Sequence, residues 1–161
     1  MSIKHSVRVS FLAGFTVLLT FVTVYFVADV LEYGIILASL GATAFLVFVY
    51  PERDASRSKI IVGGYFVSSF SGALSHWLLS DFLPWAAALS VGLSIFLMLL
   101  LGLEHPPASG IGLSFSLYSL SFQEVVSVMV GMVVFLALTA FFKRIIKRIP
   151  EMASSIQTPK G

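Results

Sequence analysis

Long apolar segments constrain this chain more than any other feature of its sequence. Five of them approach or reach the roughly 20 residues that a helix needs to cross a bilayer core. They lie at about 10–28, 33–50, 60–79, 84–103 and 123–142. A shorter apolar stretch at 106–121 is rich in Gly and Ser. The pattern predicts an all-α, polytopic transmembrane helix bundle.

Composition excludes most soluble classes. Hydrophobic residues make up 58% of the chain and charged residues 11%, against about 25% charged in an ordinary soluble domain. A cytosolic enzyme, a disordered protein and a nucleic-acid binder are therefore not expected. The chain has no cysteine, so it can form neither a disulfide nor a cysteine metal site.

The positions of the charges predict the orientation. Basic residues fall at the N-terminus, in the loop at 51–59 and after the last apolar segment, whereas the other short connections carry only acids. The basic residues are Lys4, Arg8, Arg53, Arg57, Lys59, Lys143, Arg144, Lys147, Arg148 and Lys160. Because short loops rich in Lys and Arg stay in the cytoplasm, about six helices with both termini cytoplasmic fit best. Whether 106–121 crosses fully or forms a re-entrant helix stays open.

The expected organisation is a single membrane domain. Residues 1–9 form a cytoplasmic N-terminus, 10–148 the transmembrane domain, and 149–161 a polar cytoplasmic tail that we expect to be disordered. A bundle this thin favours a homo-oligomer in contact with membrane lipid. The expected location is the cell membrane, as a multi-pass protein.

Small and polar residues recur at a spacing of four in the third apolar segment. Gly64, Ser68, Gly72 and His76 share one stripe of the predicted helix. Such stripes let helix backbones approach closely, and helix packing is the first interpretation. The alternative is a polar path, to which Ser68, Ser71 or Ser75 would contribute a hydroxyl. A second small patch surrounds Thr43.

The segment from Glu104 to Gly110 breaks the apolar pattern. Proline disfavours helix in the preceding residue and suits the first turn of a new helix, so a helix should end before His105 and a short one should begin at Pro106 or Pro107. The free N–H groups at the start of that helix would favour an anion. Ser109 and Gly110 lie in its first turn.

These residues resemble the HPP family of integral membrane proteins. The resemblance runs from about 10 to 145 and rests on four pieces in order. They are the segment from Gly41 to Leu46, the pair Gly63-Gly64, the segment from Trp85 to Leu89, and His105-Pro106-Pro107-Ala108. Tyr65 stands where the family often has His, and Ser109-Gly110 where it usually has Gly-Ala. The family includes proteins implicated in nitrite transport, so the resemblance implies a small inorganic anion as substrate.

Two functions follow from this sequence. The first is a transporter or channel for a small inorganic anion, with nitrite implied by the resemblance and with His105, Pro106, Pro107, Ser109, Gly110, Thr43 and Ser68 as the substrate-binding residues. The second is a non-transporting membrane subunit that packs against partner proteins through the stripe of small residues. An enzyme is not expected, because no acid–base pair or activated serine has a partner in the pattern. No cofactor or metal site is predicted.

Overall fold

Helices make up all the regular structure of the described residues. The computed structural model describes residues 34–118 and 122–148, and seven helical positions between 7 and 22. Five helices have defined bounds: α1 (Gly34–Val49), α2 (Ser58–Leu79), α3 (Leu83–Leu101), α4 (Ser109–Leu117) and α5 (Phe122–Arg148). Two 3-10 turns, Asp54–Ser56 and Pro106–Ala108, precede α2 and α4. The predicted all-α class is confirmed.

The described helices follow the predicted apolar segments closely. Predicted segments at 33–50, 60–79 and 84–103 correspond to α1, α2 and α3, and the predicted segment at 123–142 lies within the longer α5. Of the first segment, 10–28, the described positions are helical, and Phe15 packs edge-on against Phe142 of α5. The tail at 149–161 and nearly all of the N-terminus at 1–9 lie outside the described residues.

The short helix predicted after the His-Pro-Pro segment is present as α4. It has 9 residues, which at 1.5 Å per residue make about 14 Å, less than half of a bilayer core of roughly 30 Å. Among the described residues one helix, Leu83–Leu101, is long and apolar enough to cross a membrane by itself, and Ile35–Val49 and Val128–Phe142 form shorter apolar helices. The number of crossings therefore stays a prediction.

The distribution of side chains is inverted relative to a soluble protein. Serines on α2, α3 and α4 are fully buried, among them Ser71 and Ser90, whereas Phe66, Trp77 and Trp85 are each more than two-thirds exposed. A bundle in water would place the aromatic rings inside. In lipid the exterior is apolar and helices associate through small residues, which explains this arrangement.

Stripes of small residues on α2 and α3 are buried where these two helices pack against α4. On α2 the predicted stripe faces α4: Gly64 lies against Ala108, Gly72 lies against the Gly112 carbonyl, and the His76 Nδ1–H donates to the Ser116 carbonyl at 3.0 Å. On α3 the buried residues also recur every four positions. They are Ala86, Ser90, Ser94 and Met98. The stripe on α2 therefore serves helix packing within the chain.

A glycine ends α3 and turns the chain towards the His-Pro-Pro segment. Gly102 has φ 64°, a left-handed conformation that glycine adopts without a Cβ clash. The Gly102 N–H donates to the Leu99 carbonyl, and the Leu103 N–H donates to the Met98 carbonyl at 2.8 Å. These bonds satisfy carbonyls that a helix end would otherwise leave unpaired. The turn sends Leu103 against Gly63 and His105 into the bundle.

Candidate functional site

His105 is the centre of a buried polar cluster. Its side chain is 0% exposed although it lies in the connection between α3 and α4, outside both helices. Gly64 permits this position, because a methyl group there would stand 2.9 Å from His105 Cβ and 3.2 Å from the Leu103 carbonyl oxygen. His105 therefore packs directly on the backbone of α2, with its ring 5.5 Å from that of Tyr65.

Both ring nitrogens of His105 have partners, and these fix its tautomer. Nδ1 lies 2.7 Å from the Ala55 carbonyl oxygen, which can only accept, so Nδ1 carries the proton. Nε2 of the neutral ring is then an acceptor, and its partner is the Thr43 hydroxyl at 2.8 Å. The Thr43 proton points to His105 rather than to the Ser39 carbonyl, which lies 3.0 Å from the same oxygen.

Tyr65 and Ser39 extend the cluster from Thr43 to Pro107. The Tyr65 hydroxyl lies 2.7 Å from Thr43 Oγ1. Tyr65 donates this hydrogen bond, because Thr43 already donates its own to His105 Nε2. The Ser39 hydroxyl donates to the Pro107 carbonyl at 2.6 Å and lies 3.1 Å from the Tyr65 oxygen. We call Ser39, Thr43, Tyr65 and His105 the histidine cluster. It joins α1, α2 and the segment before α4 by uncharged hydrogen bonds.

Burial keeps the His105 ring neutral. Desolvation lowers the pKa of His105 from 6.5 to about 4, and the hydrogen bond to the Ala55 carbonyl opposes that shift without overcoming it. In the neutral form Nε2 accepts a hydrogen bond from the Thr43 hydroxyl. By accepting this bond, the neutral ring can orient the hydroxyls of the cluster.

The predicted site residues divide into two groups in the structure. Thr43 and His105 meet as predicted, and Pro107 joins them through its carbonyl. Gly110 lies beside them, where a methyl group would stand 3.2 Å from Ser39 Cβ. Ser68 lies elsewhere, with its hydroxyl 3.9 Å from the Met98 sulfur.

The prediction of free N–H groups at the start of the short helix is wrong for its first two donors. The 3-10 turn at Pro106–Ala108 uses them: the Ala108 N–H donates to the His105 carbonyl at 2.9 Å, and the Ser109 N–H donates to the Pro106 carbonyl. The Ser109 hydroxyl also donates to the Pro106 carbonyl, at 2.8 Å. Pro106 and Pro107 have no N–H, so the hydroxyls of the histidine cluster are the more suitable donors for an anion at this end.

Sequence reasoning did not assign Ser39 and Tyr65 to the site. Each residue had only a local signal in the sequence. Ser39 is one turn before Thr43 on the buried face of α1, and Tyr65 directly follows the Gly63-Gly64 pair. The pairing between α1 and α2 is a tertiary contact, and no spacing within either segment specifies it.

The basic loop at 51–59 is attached directly to the histidine cluster. Ala55 accepts from His105, and the Ser56 hydroxyl lies 3.0 and 2.8 Å from the Leu46 and Tyr50 carbonyl oxygens at the end of α1. The charged side chains of this loop remain exposed, with Arg57 bonded to Asp54 at 2.9 Å and Arg53 stacked 4.3 Å over the Tyr50 ring. The loop therefore carries three exposed basic residues and two exposed acidic ones, Glu52 and Asp54, a net charge of +1.

The described residues contain no group of three or more His, Asp and Glu side chains that could hold a metal ion. His76 contacts Ser116 near the end of α4, whereas His105 precedes its start. The two histidines therefore lie at opposite ends of the short helix.

A comparison with protein-family models matches residues 2–150 to a family described as "HPP, transmembrane region". Searches of curated proteins and of solved structures give no match. The matched range includes the histidine cluster and all five described helices.

Proposed function

Because the chain belongs to the HPP transmembrane family and is therefore a membrane protein, we propose that it is a transporter or channel for a small inorganic anion. Nitrite is the first candidate, since the resemblance in the sequence implies it. The observation that carries the proposal is the histidine cluster, which lies at the interruption between α3 and α4. Non-helical backbone inside a membrane bundle is characteristic of transport sites.

The cluster suits a weakly held monovalent anion. Ser39, Thr43 and Tyr65 each have one hydroxyl donor, and an anion that enters would accept hydrogen bonds from these hydroxyls in place of their present acceptors. No Lys or Arg side chain is buried among the described residues. Uncharged donors bind an anion loosely enough to release it, which transport requires.

The exposed basic loop supports the same proposal. Arg53, Arg57 and Lys59 are exposed close to Ala55, the residue that binds His105. With Glu52 and Asp54 counted, the loop has a net charge of +1, and a positive charge at the entrance of a polar path raises the local concentration of anions. In the proposed topology this loop and both termini are cytoplasmic, and the protein is a multi-pass protein of the cell membrane that assembles as a homo-oligomer.

The alternative of a non-transporting subunit loses its main support. It relied on the stripe of Gly64, Ser68 and Gly72 as a surface for partner proteins. That stripe packs against α4 and the segment before it, so it is not available on the outside of the bundle.

Purified protein in liposomes tests the proposal. We expect nitrite uptake above that of empty liposomes, and a reduction of at least roughly tenfold in Thr43→Val and Tyr65→Phe, since each removes one hydroxyl that would contact the anion. Ser71→Ala is the matched control, because Ser71 is fully buried and its hydroxyl donates to Val67 within its own helix at 2.9 Å. Absence of flux for nitrite, nitrate and chloride would refute transport.

A further inference from the structure

Two serine hydroxyls of α3 and the backbone carbonyl of Ser68 on α2 converge on Gly112 where α2, α3 and α4 meet. A methyl group at Gly112 would stand 2.8 Å from Ser94 Oγ, 3.1 Å from Ser90 Oγ and 2.8 Å from the Ser68 carbonyl oxygen. All three serines are 0% exposed. Gly112 lies five residues after Pro107, about 8 Å further along the axis of the short helix.

These hydroxyls lack proper acceptors. Ser90 and Ser94 have no hydrogen-bond partner among the described residues, and Ser68 reaches only the Met98 thioether at 3.9 Å, which is a weak acceptor. Ser71 and Ser75 are satisfied by their own helix, since Ser71 donates to Val67 and Ser75 to Ser71. A serine in a helix can bond in this way, so the orientation of Ser90 and Ser94 towards Gly112 leaves two donors unpaired. The hydroxyls of Ser69, Ser114 and Thr139 also lack a partner among the described residues, but only those of Ser90 and Ser94 lie together at Gly112.

A buried hydroxyl without an acceptor lowers the free energy of unfolding, and alanine at the same position avoids that loss. Alanine would fill nearly the same volume at both positions, and Ala86 does so one turn earlier in the buried stripe of α3. The hydroxyls therefore contribute nothing to the packed state that alanine lacks. They become useful when an acceptor enters between α3 and α4.

We propose that Ser90 and Ser94 form a second anion-binding site, the serine site, which an anion occupies when α3 and α4 separate at Gly112. The inference rests on the proposed function and gives it a path: the histidine cluster at the start of α4, followed by the serine site deeper in the bundle. The occupant is a small monovalent inorganic anion, because the donors are two uncharged O–H groups and no Lys or Arg side chain is buried among the described residues. Gly112 keeps the two helices close enough for the site to close when it is empty.

The double variant Ser90→Ala/Ser94→Ala tests the site, with Ser71→Ala/Ser75→Ala as the matched control. Both remove two fully buried hydroxyls, but the control hydroxyls have acceptors in their own helix. Two quantities are measured on detergent-purified and liposome-reconstituted protein. They are the nitrite flux and the shift in melting temperature when sodium nitrite replaces sodium gluconate at constant ionic strength.

We expect Ser90→Ala/Ser94→Ala to melt at the same or a higher temperature than the wild type, to lose at least roughly tenfold in flux, and to lose the stabilisation by nitrite. The control should keep both flux and stabilisation. If Ser90→Ala/Ser94→Ala keeps the flux and the nitrite stabilisation of the wild type, the serine site is overturned and the proposal of transport stands. Stabilisation that depends on Ser90 and Ser94 in a protein without flux would support the site and refute transport. Neither flux nor stabilisation in the wild type would overturn both.

Discussion

At the scale of single residues, the position of His105 depends on uncharged partners. Burial removes the ring from solvent, and the carbonyl of Ala55 and the hydroxyl of Thr43 compensate at its two nitrogens. A buried acceptor that loses its donor costs roughly 1–3 kcal/mol. The hydroxyl of Thr43 therefore contributes to stability as well as to the proposed anion contact.

Replacing Thr43 measures how much its hydroxyl contributes to stability. Thr43→Val keeps the shape of the side chain but leaves His105 Nε2 without its donor, and we expect a loss of about 1–3 kcal/mol in the free energy of unfolding. Thr43→Ser retains the hydroxyl and should lose less. Denaturant or thermal unfolding in detergent measures both. Equal stability of the two variants would contradict the hydrogen bond.

Protonation of His105 should make the folded state sensitive to acid. Its pKa is about 4 in the folded protein and 6.5 when unfolded, so between these values the unfolded chain binds more protons. The stability associated with the neutral ring is fully present above pH 6.5 and is lost as the pH falls towards 4, by up to roughly 3 kcal/mol. We expect the melting temperature of the wild type to fall more steeply than that of His105→Gln over this interval. Parallel curves would show that His105 does not titrate in this way.

At the scale of helices, close backbone contact replaces side-chain interdigitation. Gly72 lies against the Gly112 carbonyl, and a methyl group added at Gly72 would stand 2.6 Å from Phe115 Cβ. Without a hydrophobic driving force between helices in lipid, such contacts carry much of the association energy. The crossing of α2 and α4 has no space for a larger residue at either glycine.

Alanine at these glycines distinguishes packing from helix propensity. Gly72→Ala and Gly112→Ala should each destabilise the protein by about 1–3 kcal/mol through overpacking. Gly92→Ala on α3 is the matched control, because an added methyl group there has no heavy atom within 4 Å. It should be neutral or stabilising by up to about 1 kcal/mol. Unfolding in detergent ranks the three variants, and a cost at position 92 equal to that at position 112 would refute the packing argument.

At the scale of the whole molecule, the short α4 decides the topology. Nine helical residues and the preceding 3-10 turn reach only part of the way across a bilayer core. The chain still has to bring the basic end of α5 to the side of the loop at 51–59 if the charge rule holds. For this, α4 and its flanking residues must together cross the membrane once.

Cysteine labelling measures this directly, because the natural chain has no cysteine. Single cysteines at Glu52, Asp81 and Tyr118 report on three connections of the described chain. With both termini cytoplasmic and about six crossings, a membrane-impermeant maleimide should label positions 81 and 118 from outside intact cells and position 52 only after lysis. Labelling of position 118 only after lysis would identify α4 as re-entrant.

The sequence alone predicted the elements and their environment. Apolar length located α1, α2 and α3 to within a few residues, and the two prolines after His105 predicted the short α4, because proline restricts the local backbone whatever its neighbours. The spacing of Gly64, Ser68, Gly72 and His76 also predicted a packing face, since that spacing is a property of the helix itself.

Contacts between helices were decided only by the tertiary structure. Nothing in the sequence pattern places Ser39 and Tyr65 beside His105. The pattern predicted Ser68 in that site, whereas its hydroxyl faces the Met98 sulfur. It also left the amide groups of the short helix free, whereas the 3-10 turn uses the first two. The length of an apolar segment and the backbone restriction by proline are local properties, so they can be read from neighbouring residues in the sequence. Which hydroxyl meets which acceptor depends on the crossing of helices distant in sequence, and that crossing exists only in the folded bundle.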